Sequence, residues 1–189
     1  MGKRLFDVCL AFALLILALP VCGIIALAVM ADSGRPVFYP QKRVGYRGRH
    51  FTMYKFRTLR PHSERRFDIV LKNDERVTRV GRFLRSSHLD ELPQLWNVLR
   101  GDMSLVGPRP HTVDTVEAYV RADLHYAETL KMMPGLTGLN QLRGREKIIA
   151  KGAHNAVLLD RYYARRRHVG MDLRILAKTA AAVLRRTGV

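Results

Sequence analysis

The sequence has little cysteine and no recognisable nucleotide-binding loop. Its two cysteines, Cys9 and Cys22, both lie in an apolar stretch, which is typical of buried thiols in a reducing compartment. The sequence contains no Gly-rich loop of the P-loop or dinucleotide type, no internal repeat and no low-complexity tract. These absences argue against a disulfide scaffold, a Cys/His zinc site, a Walker-type nucleotidase and a repeat array.

Acidic residues are scarce relative to basic ones. The chain has 16 Asp and Glu against 33 Lys and Arg, which gives a formal net charge of +17. Such an excess predicts an anionic partner, either nucleic acid, an anionic membrane surface or phosphorylated small molecules, and charge alone does not choose among them. A length of 189 residues suffices for one domain with a hydrophobic core and one appended element.

Charged residues are absent altogether between Val8 and Ala31. About 20 apolar residues cross roughly 30 Å of hydrocarbon as a helix, so this segment is typical of a membrane helix. It is longer than the apolar region of a signal peptide, and no A-x-A cleavage site follows it. A buried core helix of a soluble domain is the alternative interpretation.

Basic residues flank this apolar segment on both sides. Lys3 and Arg4 precede it, and positive residues prefer the cytoplasmic face of a membrane. Pro20 removes a helix hydrogen bond near the middle, which predicts a kink. We therefore expect residues 1–34 to form a re-entrant helix, bent at Pro20, and residues 35–189 to form one cytoplasmic domain. The basic residues on the C-terminal flank are Arg35, Lys42, Arg43, Arg47 and Arg49.

The remaining pattern predicts a mainly α fold with small β elements, of the α+β class. Phe51–Thr58 alternates as a strand and places Lys55 and Arg57 on one face, where they either bind phosphate or form a solvated basic face. Residues 112–132 predict one amphipathic helix, and residues 134–138 predict a tight loop. The apolar stripes after these residues predict further helices.

Two adjacent carboxylates, Asp90 and Glu91, stand within this cationic chain. Apolar residues follow them at helical spacing, and a helix tolerates Pro93 only in its first turn, so the pair is expected near a helix N-terminus. Free N–H groups there attract phosphate, and a carboxylate beside them could meet a phosphorylated substrate through a divalent metal. The alternative is an ordinary helix start capped by Ser87. This helix is expected to end near Gly101.

Two arginines lie on either side of the acidic pair in the sequence. Arg85 ends the segment that leads into the pair. Arg109 is held between Pro108 and Pro110, which favour an extended backbone. Such stiffness suits an arginine that presents its guanidinium to a phosphate, and it suits a simple tight turn equally well.

The chain carries five motifs in order: Pro36-Val37-Phe38-Tyr39; Lys55-Phe56-Arg57-Thr58; Arg79 to Arg85; Leu89 to Leu95; and Met103 to Pro110. Residues 134–138, and Asp160 with Tyr163, extend the pattern. Together these motifs resemble the bacterial sugar transferases, the monotopic phosphoglycosyl transferases that act on polyprenyl phosphate. One departure is His88, where a Ser or Thr usually precedes Leu-Asp-Glu.

The resemblance implies transfer of a sugar 1-phosphate from a UDP-sugar to polyprenyl (undecaprenyl) phosphate, with release of UMP. It assigns Asp90 as the nucleophile and as a ligand of Mg²⁺, and Glu91 as the residue that activates the acceptor. It also implies a set of phosphate-binding and substrate-binding residues. These are Arg85, Arg109, Lys55, Arg57, Arg145 and Gln141.

The same resemblance implies a location on the cytoplasmic face of the inner membrane, with amphipathic helices at the interface. Further partners would be downstream glycosyltransferases of glycoconjugate assembly, and nucleic acid would not be one. Two other classes use the same charge excess, a membrane-tethered nucleic-acid-binding protein and a basic membrane-surface scaffold. Both make Asp90 dispensable.

Overall fold

A computed structural model describes residues 2–61, 74–142 and 157–184. Its first element, α1, runs over Gly2–Ser33, and the helix continues through Pro20. Within the described ranges, α1 is the helix that is long and apolar enough to cross a membrane, with a mean hydropathy of 2.9 over its most apolar window. The helix confirms the predicted apolar N-terminal element, whereas the bend at Pro20 stays a prediction.

Both ends of α1 are attached to the rest of the protein. Near its start, the Arg4 guanidinium donates hydrogen bonds to the carbonyl oxygens of Val98 and Leu99, at 2.7 and 3.0 Å. At its end, Arg57 Nη2 donates to the Ser33 carbonyl oxygen at 2.7 Å. Between these two attachments, the two faces of α1 differ in exposure. One face packs into the core, and many apolar side chains on the other face are exposed.

A β-hairpin follows α1. Strand β1, Phe38–Val44, pairs antiparallel with β2, His50–Phe56, through a 3₁₀ turn at Tyr46–Gly48. The predicted strand is therefore confirmed, although it ends two residues before Thr58. The register places Tyr39 opposite Lys55.

Two short helices enclose the acidic pair. Helix α2, Arg79–Ser87, begins where Thr78 Oγ1 accepts a hydrogen bond from the Gly81 N–H, at 2.9 Å. Helix α3, Gln94–Arg100, ends at Gly101, which adopts a left-handed φ of 89° and so confirms the predicted helix end.

The segment after α3 corrects one prediction. Strand β3, Ser104–Val106, pairs in parallel with β4, Gly135–Thr137, so the expected loop at residues 134–138 contains a strand. The two backbones are so close that a methyl group on Gly135 would lie 2.0 Å from the Gly107 nitrogen. Glycine permits this pairing because it has no Cβ.

The prediction of a single helix over residues 112–132 is also wrong. Helix α4, Val113–Ala122, and helix α5, Tyr126–Thr129, are separate. The chain turns between them because Asp123 takes an extended conformation and its carboxylate accepts a hydrogen bond from the His125 N–H at 2.9 Å. Aspartate side chains stabilise such turns in competition with the helix.

The C-terminal part of the described chain is helical, as expected. It comprises α6, Leu139–Leu142; α7, residues 157–166; and α8, Val169–Leu184. The fold is therefore mainly helical with small sheets, as predicted. The placement of amphipathic helices at a membrane interface and the division at residue 34 stay predictions.

Two apolar clusters hold these elements around the acidic pair. The larger cluster lies between α1, α3, β3 and α8, and the smaller one lies between α1, β2 and α2. The larger contains Ala11, Leu95, Val98, Leu105 and Ile175. The smaller contains Ile25, Val29, Phe56 and Leu84. Leu92, directly after the acidic pair, packs against both clusters, so the segment that carries Asp90 and Glu91 lies between them.

Candidate active site

The acidic pair lies on a 3₁₀ turn, Leu89–Glu91, between α2 and α3. The pair thus immediately precedes a helix N-terminus, as predicted, but Ser87 does not cap that helix. Its hydroxyl donates to the Phe83 carbonyl oxygen within α2, at 2.8 Å. The chain reverses at His88, which has a left-handed φ of 56°. This reversal turns Asp90, which is only 8% exposed, toward the protein interior.

Glu91 is bound by two cations. Its Oε1 accepts hydrogen bonds from Lys55 Nζ at 2.7 Å and from Arg109 Nη2 at 2.9 Å. Burial alone would raise the pKa of Glu91, but the charges of Arg109 and Lys55 outweigh burial and hold the pKa well below its usual range. Strand β2, the 3₁₀ turn and the Pro108–Pro110 segment therefore meet at one carboxylate oxygen.

Asp90 has different surroundings from Glu91. Its carboxylate makes no hydrogen bond or ion pair within the described ranges. Burial and, second, the neighbouring charge of Glu91 raise the pKa of Asp90, against the opposing charges of Lys55 and Arg85. Asp90 is therefore a buried carboxylate that lies in the field of cations but is not bound to any of them.

Arg85 lies near the end of α2 and is held by a hydroxyl group. Its Nε donates a hydrogen bond to Thr58 Oγ1 at 2.8 Å. Burial lowers the pKa of Arg85, and the charge of Asp90 opposes that change. No carboxylate in the described parts of the chain lies within ion-pair distance of this guanidinium, so it can receive an anion.

The structure separates Arg57 from these cations. Arg57 is 5% exposed, and its Nη2 binds the carbonyl oxygens of Ser33 and Gly34, at 2.7 and 2.5 Å. Arg57 therefore binds the end of α1. Lys55, two residues earlier, binds Glu91 instead. The expected role of Arg57 in phosphate binding stays a prediction.

Gln141 and Arg145 complete the predicted set. Both amide atoms of the Gln141 side chain are buried without a hydrogen-bond partner among the residues described. A methyl group on Gly138 would lie 2.7 Å from Gln141 Oε1 and 2.3 Å from the Gly107 carbonyl oxygen, so this amide lies near the backbone that leads to Arg109. Arg145 lies outside the described residues.

The residues around Asp90 fit Mg²⁺ in one limited form. No group of three His, Cys, Asp or Glu that could hold a metal occurs in the described ranges, so these residues do not make a protein cage. Mg²⁺ commonly binds through one or two carboxylates together with substrate phosphates. The Asp90 carboxylate has oxygens available for this purpose, whereas Glu91 Oε1 already has two cationic partners.

The hydrogen bond between Thr58 and Arg85 is a contact of the site that the sequence does not predict. The motif Lys55-Phe56-Arg57-Thr58 predicts a function for its two cations and none for the Thr58 hydroxyl. A buried threonine two residues after the end of a strand gives no signal of its own, because its partner Arg85 is 27 positions away in the sequence.

The fold and the cationic site around two carboxylates define a protein with a buried, positively charged site suited to phosphate groups, beside a long apolar helix. The sequence model of the family described as "Bacterial sugar transferase" matches residues 1–186, and the chain belongs to this family.

The chain is similar to named members of that family. It is 41% identical to the undecaprenyl-phosphate galactose phosphotransferase of Salmonella typhimurium, over 98% of this chain and 41% of the relative. It is also 41% identical to the UDP-glucose:undecaprenyl-phosphate glucose-1-phosphate transferase of Xanthomonas campestris, over 97% of this chain and 39% of the relative. The exopolysaccharide production protein ExoY of Rhizobium meliloti is 39% identical, over 97% of this chain and 85% of the relative. The chain spans about two fifths of the length of the first two relatives.

Proposed function

We propose that this protein transfers a sugar 1-phosphate from a UDP-sugar to polyprenyl (undecaprenyl) phosphate and releases UMP. The product, a polyprenyl diphosphate sugar, would begin the assembly of a membrane-linked glycoconjugate. The observation that carries the proposal is the buried Asp90 carboxylate, which has no bonded partner in the described chain and lies in the field of Lys55, Arg85 and nearby Arg109. Relatives named for this reaction support it.

The reaction proceeds as two displacements at one phosphorus. An oxygen of Asp90 forms a bond to the β-phosphorus of the UDP-sugar, the bond to the bridging oxygen breaks, and UMP leaves with the electron pair. A sugar phosphate then remains on Asp90 as an acyl phosphate. In the second step an oxygen of polyprenyl phosphate attacks that phosphorus, and the bond to Asp90 breaks. Covalent catalysis of this kind divides one difficult transfer into two easier steps.

The cations have separate tasks in these steps. Arg85 has no carboxylate partner in the described ranges and is placed to bind the diphosphate, while Lys55 and Arg109 are held by Glu91. Preorganised positive charge stabilises the transition state of phosphoryl transfer because the charge need not reorganise during the reaction. Glu91 assists the acceptor in the second step, the role that the family resemblance assigned to it.

Mg²⁺ is the proposed cofactor, with Asp90 as its ligand from the protein. When bound, it would reduce the negative charge of the diphosphate that the Asp90 carboxylate must approach. Burial of Asp90 keeps water away from the carboxylate, and Arg85 orients the phosphate beside it.

We further propose that α1 enters the membrane and returns on the cytoplasmic face. Arg4 and Arg57 attach the two ends of α1 to the same body of the protein. A helix that crossed roughly 30 Å of hydrocarbon would place its ends on opposite sides of the membrane. Attachment at both ends therefore supports a monotopic arrangement, and basic residues on both flanks support the cytoplasmic side.

The test is a UMP-release assay with the purified protein, Mg²⁺, polyprenyl phosphate and a panel of UDP-sugars. We expect turnover with at least one sugar, and we expect Asp90→Asn to lower it by at least about a thousandfold because the nucleophile is lost. Asp114→Asn, the same change at an exposed carboxylate, is the matched control and should retain activity. Unchanged turnover in Asp90→Asn would contradict the mechanism. A nucleic-acid-binding or scaffold role instead predicts no UMP release by the wild-type protein with any UDP-sugar.

A further inference from the structure

Arg85 differs from the other two cations of the site, Lys55 and Arg109, because its hydrogen-bond partner is an uncharged hydroxyl group. Its Nε donates to Thr58 Oγ1 at 2.8 Å, whereas Lys55 and Arg109 both bind the Glu91 carboxylate. A guanidinium is planar, so a hydrogen bond at Nε restricts the plane in which the two Nη groups lie. Because the partner is uncharged, the positive charge of Arg85 stays available to an anion.

The backbone of Thr58 is itself held in place. Thr58 is 6% exposed, and its carbonyl oxygen accepts a hydrogen bond from the Thr78 N–H at 3.0 Å, at the residue that caps α2. The same oxygen lies so close to Gly81 that a methyl group there would be 2.2 Å away. Thr58 therefore cannot shift relative to the start of α2 without breaking this contact.

These contacts link the end of β2 to the arginine two turns farther along α2. The link fixes Arg85 at two points, through its own helix and through its Nε hydrogen bond. An arginine fixed in this way loses less rotamer freedom when it binds a phosphate.

We propose that Thr58 is a positioning residue that orients the Arg85 guanidinium toward the diphosphate of the sugar nucleotide. The proposal rests on the proposed function of the Asp90 site. Thr58 would act only through Arg85 and would touch neither substrate nor the reacting atoms.

The experiment compares kcat/KM for the UDP-sugar in five variants of the full chain. Thr58→Val removes the hydroxyl at nearly constant shape, and we expect about a tenfold loss of kcat/KM because a hydrogen bond to a charged group is removed. Thr58→Ser restores the hydroxyl and should remain within about twofold of wild type. Thr179→Val removes another hydrogen-bonded hydroxyl, on α8, and is the matched control because its partners are Thr137 and the Ile175 carbonyl oxygen and not Arg85 or the acidic pair.

A double-mutant cycle tests whether Thr58 acts through Arg85. Arg85→Lys has no guanidinium Nε, so adding Thr58→Val to it should change kcat/KM by less than about twofold. Thermal unfolding of each variant, measured in the same detergent, identifies any loss of activity that follows from loss of fold.

Each outcome separates the two proposals. Absence of UMP release by the wild-type protein with every UDP-sugar would overturn the proposed function and this inference together. If the wild-type protein releases UMP, three results would overturn the role of Thr58 alone. These are full activity in Thr58→Val, a loss in Thr58→Val that Thr58→Ser shares, and losses that multiply in the double variant. A loss in Thr58→Val that Thr58→Ser restores and that Arg85→Lys masks supports the role.

Discussion

Asp90 and Glu91 are neighbours in the chain, yet their carboxylates have different partners. Glu91 Oε1 binds Lys55 and Arg109, while Asp90 is buried without a bonded partner in the described residues. The surroundings move the pKa of Glu91 down and the pKa of Asp90 up. Such separation allows two adjacent acids to take different roles.

A third carboxylate, Asp160 on α7, leads to a prediction about pH. Burial raises the pKa of Asp160 to about 7, and a hydrogen bond with Asn140 opposes that rise. An unfolded aspartate has a pKa near ~3.9, so between pH 4 and 7 the folded state binds more protons than the unfolded state. Stability from this group is therefore complete at low pH and is lost as the pH rises toward 7.

We expect Asp160→Asn to remove this dependence. At pH 8 the variant should be more stable than wild type by on the order of 4 kcal/mol at most, and near pH 4 the two proteins should unfold alike. The measurement is denaturant or thermal unfolding from pH 4 to pH 8 in one detergent. A constant difference between the two proteins across this range would contradict the assignment.

At the scale of elements, the contact between Thr58, two residues beyond β2, and the start of α2 positions the helix that carries Arg85. Thr78 caps α2, Thr58 accepts the Thr78 N–H, and Gly81 permits the backbones to approach. Asp32, near the end of α1, adds a hydrogen bond from the Val80 N–H at 2.9 Å. The start of α2 is therefore hydrogen-bonded both to the segment just after β2 and to the apolar helix.

Gly81→Ala tests this contact. The added methyl group would lie 2.2 Å from the Thr58 carbonyl oxygen, so α2 must move. We expect a destabilisation of about 3 kcal/mol together with a loss of UMP release, since overpacking against backbone cannot relax through side-chain rotation. Thermal unfolding measures the first effect and the turnover assay the second.

Gly23→Ala is the matched control for that substitution. Gly23 is also helical, and nothing lies within 4 Å of an added methyl group. Its replacement should leave stability unchanged or raise it by about 0.5–1 kcal/mol through helix propensity. Equal effects of the two alanines would show that the close approach of Gly81 to Thr58 has no energetic weight.

At the scale of the whole molecule, α1 is part of the core. Buried Asp7 accepts a hydrogen bond from the Ser104 hydroxyl at 2.7 Å, and Lys3 Nζ donates to Asp172 on α8 at 2.6 Å. Tyr163 OH also donates to Asp172, at 2.7 Å. Since β3 leads directly toward Arg109, the start of α1 is bonded to the elements that carry the site.

The position of the two ends of α1 can be tested by labelling. In a background with Cys9→Ala and Cys22→Ala, we introduce Gly2→Cys or Arg35→Cys, both at exposed positions. If α1 returns to the cytoplasmic face, as proposed, a membrane-impermeant maleimide should label both variants in inverted membrane vesicles and neither in intact spheroplasts. Labelling of the two variants from opposite sides would contradict the re-entrant arrangement and would indicate a spanning helix.

The sequence by itself determined features that depend on local order. The apolar helix, the β2 strand, the end of α3 at Gly101 and the helical C-terminal part follow from hydropathy, alternation and glycine chemistry. It also identified the acidic pair as the unusual feature of a cationic chain. The prediction of one helix over residues 112–132 was wrong. Asp123 accepts a hydrogen bond from the His125 N–H where α4 ends, and hydrophobic periodicity does not show such a turn.

Only the tertiary structure decided how distant residues share the site. Alternation over Phe51–Thr58 predicts that Lys55 and Arg57 share one face, but β2 ends at Phe56, and contacts direct Lys55 to Glu91 and Arg57 to the end of α1. Likewise the Thr58 hydroxyl binds Arg85, and Gly135–Thr137 form a strand because β3 lies beside them. Hydrogen bonds and ion pairs between segments far apart in sequence leave no periodic signal, since they depend on how whole elements pack and not on the residues next to them.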